Sequence, residues 1–210
     1  MNRFPKELIT NYQRFKTNTF PQQAQSYEEL SKGQSPETMI ISCCDSRVDP
    51  ESIFSAGPGE LFVVRNVANL VPPFETQGAY HGVSAAIEFA ALNLRIKHLV
   101  VMGHSGCGGI AAALDSTKTV QTDANFISRW MSILDEPKKK IQESSSCKHE
   151  HHQKLLEIEG VKHSLENLRT FPCIKALEEK GRLQLHGAHF DILTGNLQVL
   201  DQATNEFMIV

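Results

Sequence analysis

No stretch of this sequence approaches the roughly 18 consecutive apolar residues of a membrane span. Its most apolar run, 83–94, is interrupted by Glu88. No apolar core of a secretory signal follows Met1, where Asn2, Arg3, Phe4 and Pro5 lead into Lys6 and Glu7, so the cytoplasm is the expected location. Neither sign of charge dominates: 21 Lys and Arg stand against 24 Asp and Glu, a formal net charge of −3. Nucleic-acid binding needs a clustered positive surface. The basic run Lys138-Lys139-Lys140 is short and flanked by Glu136 and Glu143, as on a solvated helix face, so no nucleic-acid partner is expected. Internal repeats, low-complexity segments and any C-x-x-C redox pair are also missing. The five cysteines, at 43, 44, 107, 147 and 173, cannot all pair. Thiols in a reducing compartment stay free for packing, catalysis or metal binding.

What remains is an ordinary globular composition, 40% hydrophobic and 21% charged over 210 residues, enough for one well-buried core. Leu8, Ile9, Tyr12 and Phe15 recur at helical spacing and predict an amphipathic helix over 5–16. A polar stretch through Ser26, Glu28 and Glu29 follows, and Gly33-Gln34-Ser35-Pro36 breaks the chain. Short apolar runs at 38–43, 61–64 and 98–103 read as buried strands. Residues 78–94 are small or apolar almost all round, as in a buried helix, and a further helix follows at 108–114. From 122 to 180 the pattern is helical and charged, with breaks near Gly160 and Pro172. Two closing strands, 183–187 and 197–200, surround the turn Thr194-Gly195-Asn196. The expected fold is α/β: a mainly parallel central sheet flanked by helices, with an antiparallel C-terminal edge strand.

This order places two unusual loops at strand ends. Cys43-Cys44-Asp45-Ser46-Arg47 follows the first strand, and His104-Ser105-Gly106-Cys107-Gly108-Gly109 follows the third. Ligands of open α/β sheets gather beyond the carboxyl ends of strands. His104 and Cys107, three apart on a Gly-rich turn, can reach one ion, and a thiolate from the other loop would complete an open Cys₂His set suited to Zn²⁺. An H-x-x-C pair alone is weak evidence, because a cysteine after a strand is commonly a packed core residue. A cysteine nucleophile, Cys44 or Cys107 with His104 as base, is the rival reading. It explains fewer residues. The tract holding Cys147, His149, Glu150, His151 and His152 could bind metal, but in a charged helical segment it reads as a solvated face.

The two loops, Cys43-x-Asp45-Ser46-Arg47 and His104-x-x-Cys107, look like the zinc-site signatures of the β-class carbonic anhydrases. The block Pro58-Gly59-Glu60-x-Phe62-Val63-Val64-Arg65-Asn66-Val67-Ala68-Asn69 is also similar to that family. So are Ser164-Leu165-x-Asn167-Leu168-Arg169-Thr170-Phe171-Pro172 and Leu185-His186-Gly187-x-x-Phe190-Asp191-Ile192-x-Thr194-Gly195. The resemblance runs nearly the whole chain and implies one domain over 1–210, with 1–35 as a helical arm packing on a partner subunit. It implies one Zn²⁺ per chain held by Cys43, His104 and Cys107, with Cys44 at a variable position. Strand alternation agrees, since Cys44 should point away from Cys43 and Asp45.

The implied activity is reversible hydration of carbon dioxide to bicarbonate and a proton, by attack of zinc-bound hydroxide. Asp45 would orient that hydroxide, and Arg47 would hold Asp45 in a charge-assisted pair. Gln34, Phe62 and Val67 would line the substrate pocket of a homodimer or larger homo-oligomer, Gln34 and Phe62 reaching across from the partner. Phe89 stands where plant-type members carry a pocket tyrosine. A same-fold zinc hydrolase acting on a substrate such as carbon disulfide is the nearest alternative, and a non-catalytic zinc protein, expected to lose Asp45 or Arg47, is the third. Some bacterial members bind inhibitory bicarbonate with a Trp three residues before the first zinc cysteine, an Arg and a Tyr. Here Ile40 takes the Trp position, Arg65 is present, and Ala188 replaces a frequent Trp, which leans to the plant-like branch.

Overall fold

The N-terminal amphipathic pattern forms α1 (Lys6–Arg14), which runs on into a π-helical stretch, Phe15–Thr19. The structure, a computed structural model, describes residues 4–78, 80–115, 125–144 and 149–210. Residues Met1–Ser35 make one compact unit and Pro36–Val210 a second. Within the first, the polar stretch after Phe20 is helical too, as α2 (Ala24–Leu30). The rings of Phe15, Phe20 and Tyr27 pack edge-on or tilted at 5.2–6.3 Å, with the Lys16 ammonium over Phe20. No side chain of α1 or α2 is fully buried, and Leu8 and Tyr12 are exposed.

The second unit opens with β1 (Thr38–Cys43), whose residues after Thr38 are all buried. Asp49 caps α3 (Pro50–Ile53) by accepting the Ser52 N–H, and Pro50 starts the helix where its missing N–H costs nothing. Next come β2 (Leu61–Asn66), α4 (Gly82–Glu88) with a π-helical continuation Phe89–Leu94, β3 (His98–His104) and α5 (Gly108–Leu114). Helices α6 (Phe126–Met131), α7 (Asp135–Ser144), α8 (His149–Leu168) and α9 (Pro172–Glu179) precede three strands, β4 (Gln184–Phe190), β5 (Leu197–Asp201) and β6 (Glu206–Ile209). The sheet order is β2-β1-β3-β4-β5-β6. Its first four strands are parallel, and β5 and β6 are antiparallel to their neighbours.

The chain leaves β1 on one side to form β2 and returns on the other to form β3. Strand order therefore reverses between β1 and β3, which opens a crevice at their carboxyl ends. Ser42 is in register with Met102, so Cys43 ends its strand one residue beyond that pair and His104 two residues beyond it, at the same end of the sheet.

One face of the sheet, through Met39, Ile41, Leu99, Val101 and Leu185, meets Ile87, Ala90, Val161, Leu165, Leu168 and Ile174 of the helices. Burying each such aliphatic side chain contributes roughly 1.5–3 kcal/mol. A second apolar cluster, including Val48, Leu70, Ile110, Leu134 and Leu156, surrounds Cys43 and Cys107.

Three local expectations differ from the structure. The segment 78–94 is helical only from Gly82, and it is not apolar-packed all round, because Phe89 and Leu92 stay exposed. Gly160 does not break its helix; α8 runs through it, with Leu134 lying 3.3 Å from where a Cβ would stand. Strand β6 extends the sheet beyond the expected closing pair, its turn made by Asn205 in the left-handed region at φ 58°.

Candidate metal centre

The β1 and β3 loops meet in the crevice. Cys43 Sγ and Cys107 Sγ lie 3.9 Å apart, and one ligand atom from each of Cys43, His104 and Cys107 falls within 4.8 Å of the others. All three residues are buried. Among the described residues this is the one group of three or more His, Cys, Asp or Glu so placed. The sulfurs are too far apart for a disulfide. Two sulfurs each ~2.3 Å from a tetrahedral zinc stand about 3.8 Å apart, so the spacing suits that ion.

His104 carries a further sign. Its Nδ1 lies 3.0 Å from the Ser105 carbonyl, while its buried Nε2 has no hydrogen-bond partner. A proton on Nδ1, donated to that carbonyl, leaves the Nε2 lone pair pointed at the sulfurs, which is the tautomer a metal ligand needs. A buried polar nitrogen without a partner is costly. An ion between these atoms would satisfy it.

The 3.9 Å contact between the two sulfurs, in which either thiol can donate, lowers the Cys43 pKa against the opposing effect of burial. The same contact, with burial, raises that of Cys107. Burial pushes His104 down, but the Cys43 sulfur and the Ser105 carbonyl outweigh it, so its pKa is raised. The Asp45 N–H also approaches Cys43 Sγ at 3.4 Å.

Asp45 and Arg47 form a fork beside the trio. Arg47 Nε donates to Asp45 Oδ1 at 2.9 Å, Nη2 to Oδ2 at 2.7 Å, and the Arg47 backbone N–H to Oδ1 at 3.0 Å. Nη2 also reaches the Gly106 carbonyl at 3.2 Å, tying the two loops together. The guanidinium holds the Asp45 carboxyl well below the usual carboxylate range. Asp45 Oδ2 stands 4.0 Å from His104 Nε2, so the carboxylate borders the space the ligand atoms share.

Arg65 has a role that motif reading missed. Its Nε donates to the Cys43 carbonyl at 2.9 Å, its Nη2 to the Asp45 carbonyl at 2.7 Å, and its Nη1 to Asp49 Oδ1 at 3.2 Å. It braces the backbone that presents Cys43 and Asp45. The signal was its register position, two strands' edges meeting where Ser42 pairs with Arg65. Cys44 is exposed, unlike Cys43, and its N–H donates to the Asn66 carbonyl.

The expected pocket residues do not all gather here. Phe62 pairs with Met39, four residues before Cys43 along β1, which puts it about 13 Å away along the strand. It packs against Phe89 at 6.0 Å between ring centroids. Val67 follows β2 and is partly exposed, with its Cγ1 2.8 Å from where a Cβ on Gly109 would stand. Gln34 belongs to the N-terminal unit. Of the histidine-rich tract, Cys147 lies outside the described residues and His151 is exposed on α8.

Comparison with known proteins agrees with this geometry. A family model described as carbonic anhydrase matches residues 38–197. The chain is similar to a carbonic anhydrase of Pseudomonas aeruginosa, with 35% identity over 97% of this chain and 90% of that protein. It superposes on the β-carbonic anhydrase CcaA with a TM-score of 0.91 at 31% identity, covering 98% of this chain and 91% of the other. A β-carbonic anhydrase of Coccomyxa, solved with acetazolamide, gives a TM-score of 0.78 at 26% identity over 95% and 87% of the two chains. A tetrameric β-carbonic anhydrase of Sordaria macrospora gives 0.77 at 26% identity over 93% and 95%.

Proposed function

The chain belongs to the β-class carbonic anhydrases, and from that premise we propose that it is a zinc enzyme hydrating carbon dioxide reversibly to bicarbonate and a proton. The observation that carries the reading is the buried Cys43–His104–Cys107 trio, with its unpartnered imidazole nitrogen, beside a carboxylate gripped by arginine. Cys43, His104 and Cys107 would hold the ion. Zinc, when bound, supplies a nucleophile from water near neutral pH.

The chain's own residues do the positioning. Asp45, ionised through the working pH range, can only accept, so it takes a hydrogen bond from the attacking water and turns a lone pair toward the substrate. A species with no proton to give Asp45 is disfavoured at the same place. Arg47 prevents the carboxylate from rotating, because two parallel bonds fix a plane where one would allow a swing. Arg65 fixes the main chain under both Cys43 and Asp45.

Val67 furnishes apolar wall for carbon dioxide. Phe62, Phe89 and Gln34 serve a pocket completed by a second copy of the chain, which accounts for exposed Phe89 and Leu92 and for an amphipathic α1 with no buried residue. The tetrameric Sordaria relative supports a homo-oligomer. The test is zinc content and carbon dioxide hydration rate on one purified sample. About one zinc per chain with rapid hydration is expected; full zinc without hydration would refute the assignment.

A further inference from the structure

Helix α8 is not part of either metal-site loop, yet two of its side chains grip one of them. Glu157 Oε1 accepts the Cys107 backbone N–H at 3.1 Å and a Gln153 Nε2 hydrogen at 3.1 Å. Gln153 Nε2 also lies 3.4 Å from the Cys107 carbonyl oxygen. Gln153 and Glu157 are one helical turn apart and so project from one face. The geometry points to a function for this pair: they are positioning residues that clamp both main-chain polar groups of Cys107 and thereby set where its sulfur stands. The inference rests on the reading of Cys107 as a metal ligand.

Three observations carry it. First, Glu157 is only 4% exposed, and a buried carboxylate is expensive where an apolar side chain would pack. Its other oxygen stands 3.5 Å from His189 Nε2, an ion-pair distance but not a hydrogen bond, and neither His189 ring nitrogen has a hydrogen-bond partner. The bonds it does make go to the Cys107 N–H and to Gln153.

Second, Cys107 occupies the N-cap position of α5, with φ −67° and ψ 120°, and no side chain caps that helix. Its N–H has no partner within the helix, so Glu157 supplies the acceptor.

Third, glycines seat α8 at the needed depth. A Cβ on Gly103, the residue before His104, would stand 2.8 Å from Val161 Cγ2, and one on Gly187 would stand 3.1 Å from Val161 and 3.2 Å from Leu165. Because both positions lack a Cβ, the helix lies low enough on β3 and β4 for Gln153 and Glu157 to reach the loop. One of the two residues that let α8 approach, Gly103, is thus in the same strand as the His104 ligand and the other, Gly187, is in the neighbouring strand.

The experiment compares wild type with Glu157→Ala, Glu157→Gln and Gln153→Ala, all loaded with zinc or cobalt. It reads metal loss to excess chelator and the thiolate-to-cobalt absorption band, with far-UV circular dichroism to check folding. The cavity beside Glu157, also lined by Ser105, Gln153 and His189, gives water access to the N–H left by an alanine. Glu157→Ala should lose metal about tenfold faster or more, the scale of a lost supporting hydrogen bond at a metal site, with a shifted cobalt band. Glu157→Gln keeps an acceptor oxygen and should restore slow loss. Gln153→Ala should fall between them, and it carries the test if Glu157→Ala does not fold.

Lower thermal stability in folded Glu157→Ala or Gln153→Ala, with wild-type metal loss and an unshifted band, would overturn the clamp. If wild type holds metal and hydrates no carbon dioxide, the proposed function fails and the clamp stands or falls on the metal data alone. If wild type binds neither ion, both are overturned.

Discussion

The sulfurs of Cys43 and Cys107 stand 3.9 Å apart although 64 residues separate them in sequence. Nothing local brings them together. They meet because β1, which ends on Cys43, lies parallel to and in register with β3, whose following loop carries Cys107. Cys43→Ser and Cys107→Ser should each lower zinc affinity by more than about 100-fold, above the cost of a lost supporting contact. Cys44→Ser should keep about one zinc per chain, since Cys44 is exposed. Metal analysis after dialysis decides this, and full zinc in Cys43→Ser would refute the ligand assignment.

Asp45→Asn and Arg47→Ala should keep zinc and lose roughly 10- to 100-fold in hydration rate, because they remove orientation and leave the ligands in place. Wild-type rates in either variant would end the role given to this pair. The pair also makes a pH prediction. Asp45 has a folded pKa held well below its unfolded value by Arg47. Its contribution to stability is therefore fully present above that unfolded value, ~3.9, and is lost as pH falls through the folded value. In metal-stripped protein the share of the wild-type to Asp45→Asn stability gap that comes from the Asp45–Arg47 pair should close only in stronger acid, while any change between about pH 5 and 8 comes from His104, whose raised pKa Asp45 helps to hold up. Denaturant melts across that range would show it.

The strands and the two site loops were legible because period and motif coincide there. The run 38–43 became β1 with the same bounds, and the antiparallel C-terminal strands were readable from the turn at Gly195. Other features were hidden for physical reasons. Strand β6 is four residues long and partly exposed, so its pattern barely differs from a loop. Glu157 sits in a charged helix whose polar residues all look solvated until α8 is laid on Gly103 and Gly187. In sequence Arg65 stands only as the remaining arginine of an anion pocket that Ile40 leaves incomplete, and the fold shows that its three donor atoms face the first loop and Asp49. Phe89 and Leu92, expected inside a buried helix, remain exposed because no part of the described chain covers them.

The seat of α8 can be tested by overpacking. Gly103→Ala places a methyl 2.8 Å from Val161 Cγ2 and should destabilise the protein by about 1–3 kcal/mol. Gly82→Ala, at the first residue of α4 with nothing within 4 Å of the added Cβ, should be neutral or stabilising by up to about 1 kcal/mol. Equal effects in chemical denaturation would mean that the close approach of α8 does not limit the packing.

The last prediction concerns regulation and follows from how Arg65 is occupied. An inhibitory bicarbonate pocket would need a free cation with a flat aromatic wall and a hydrogen-bond donor beside it. Ile40 has neither surface nor donor, and it is buried in a small apolar cluster with Met102 and Ala188. Arg65 already donates to two main-chain carbonyls and to Asp49, so an arriving anion would have to break bonds that hold the Cys43–Asp45 backbone. Asp45 in turn stays with Arg47, because protonating it requires strong acid. Activity should therefore rise with pH through one ionisation, without a steep cooperative loss below about pH 8, since one titrating group gives one-proton dependence. Two thiolates and a neutral imidazole cancel the charge of Zn²⁺, so that ionisation should lie above the ~7 of a three-histidine site. The measurement is a pH–rate profile for hydration with and without added bicarbonate, corrected for the reverse reaction. A slope near two protons that bicarbonate steepens would mean that an anion does displace Asp45 or Arg65 from the contacts described here.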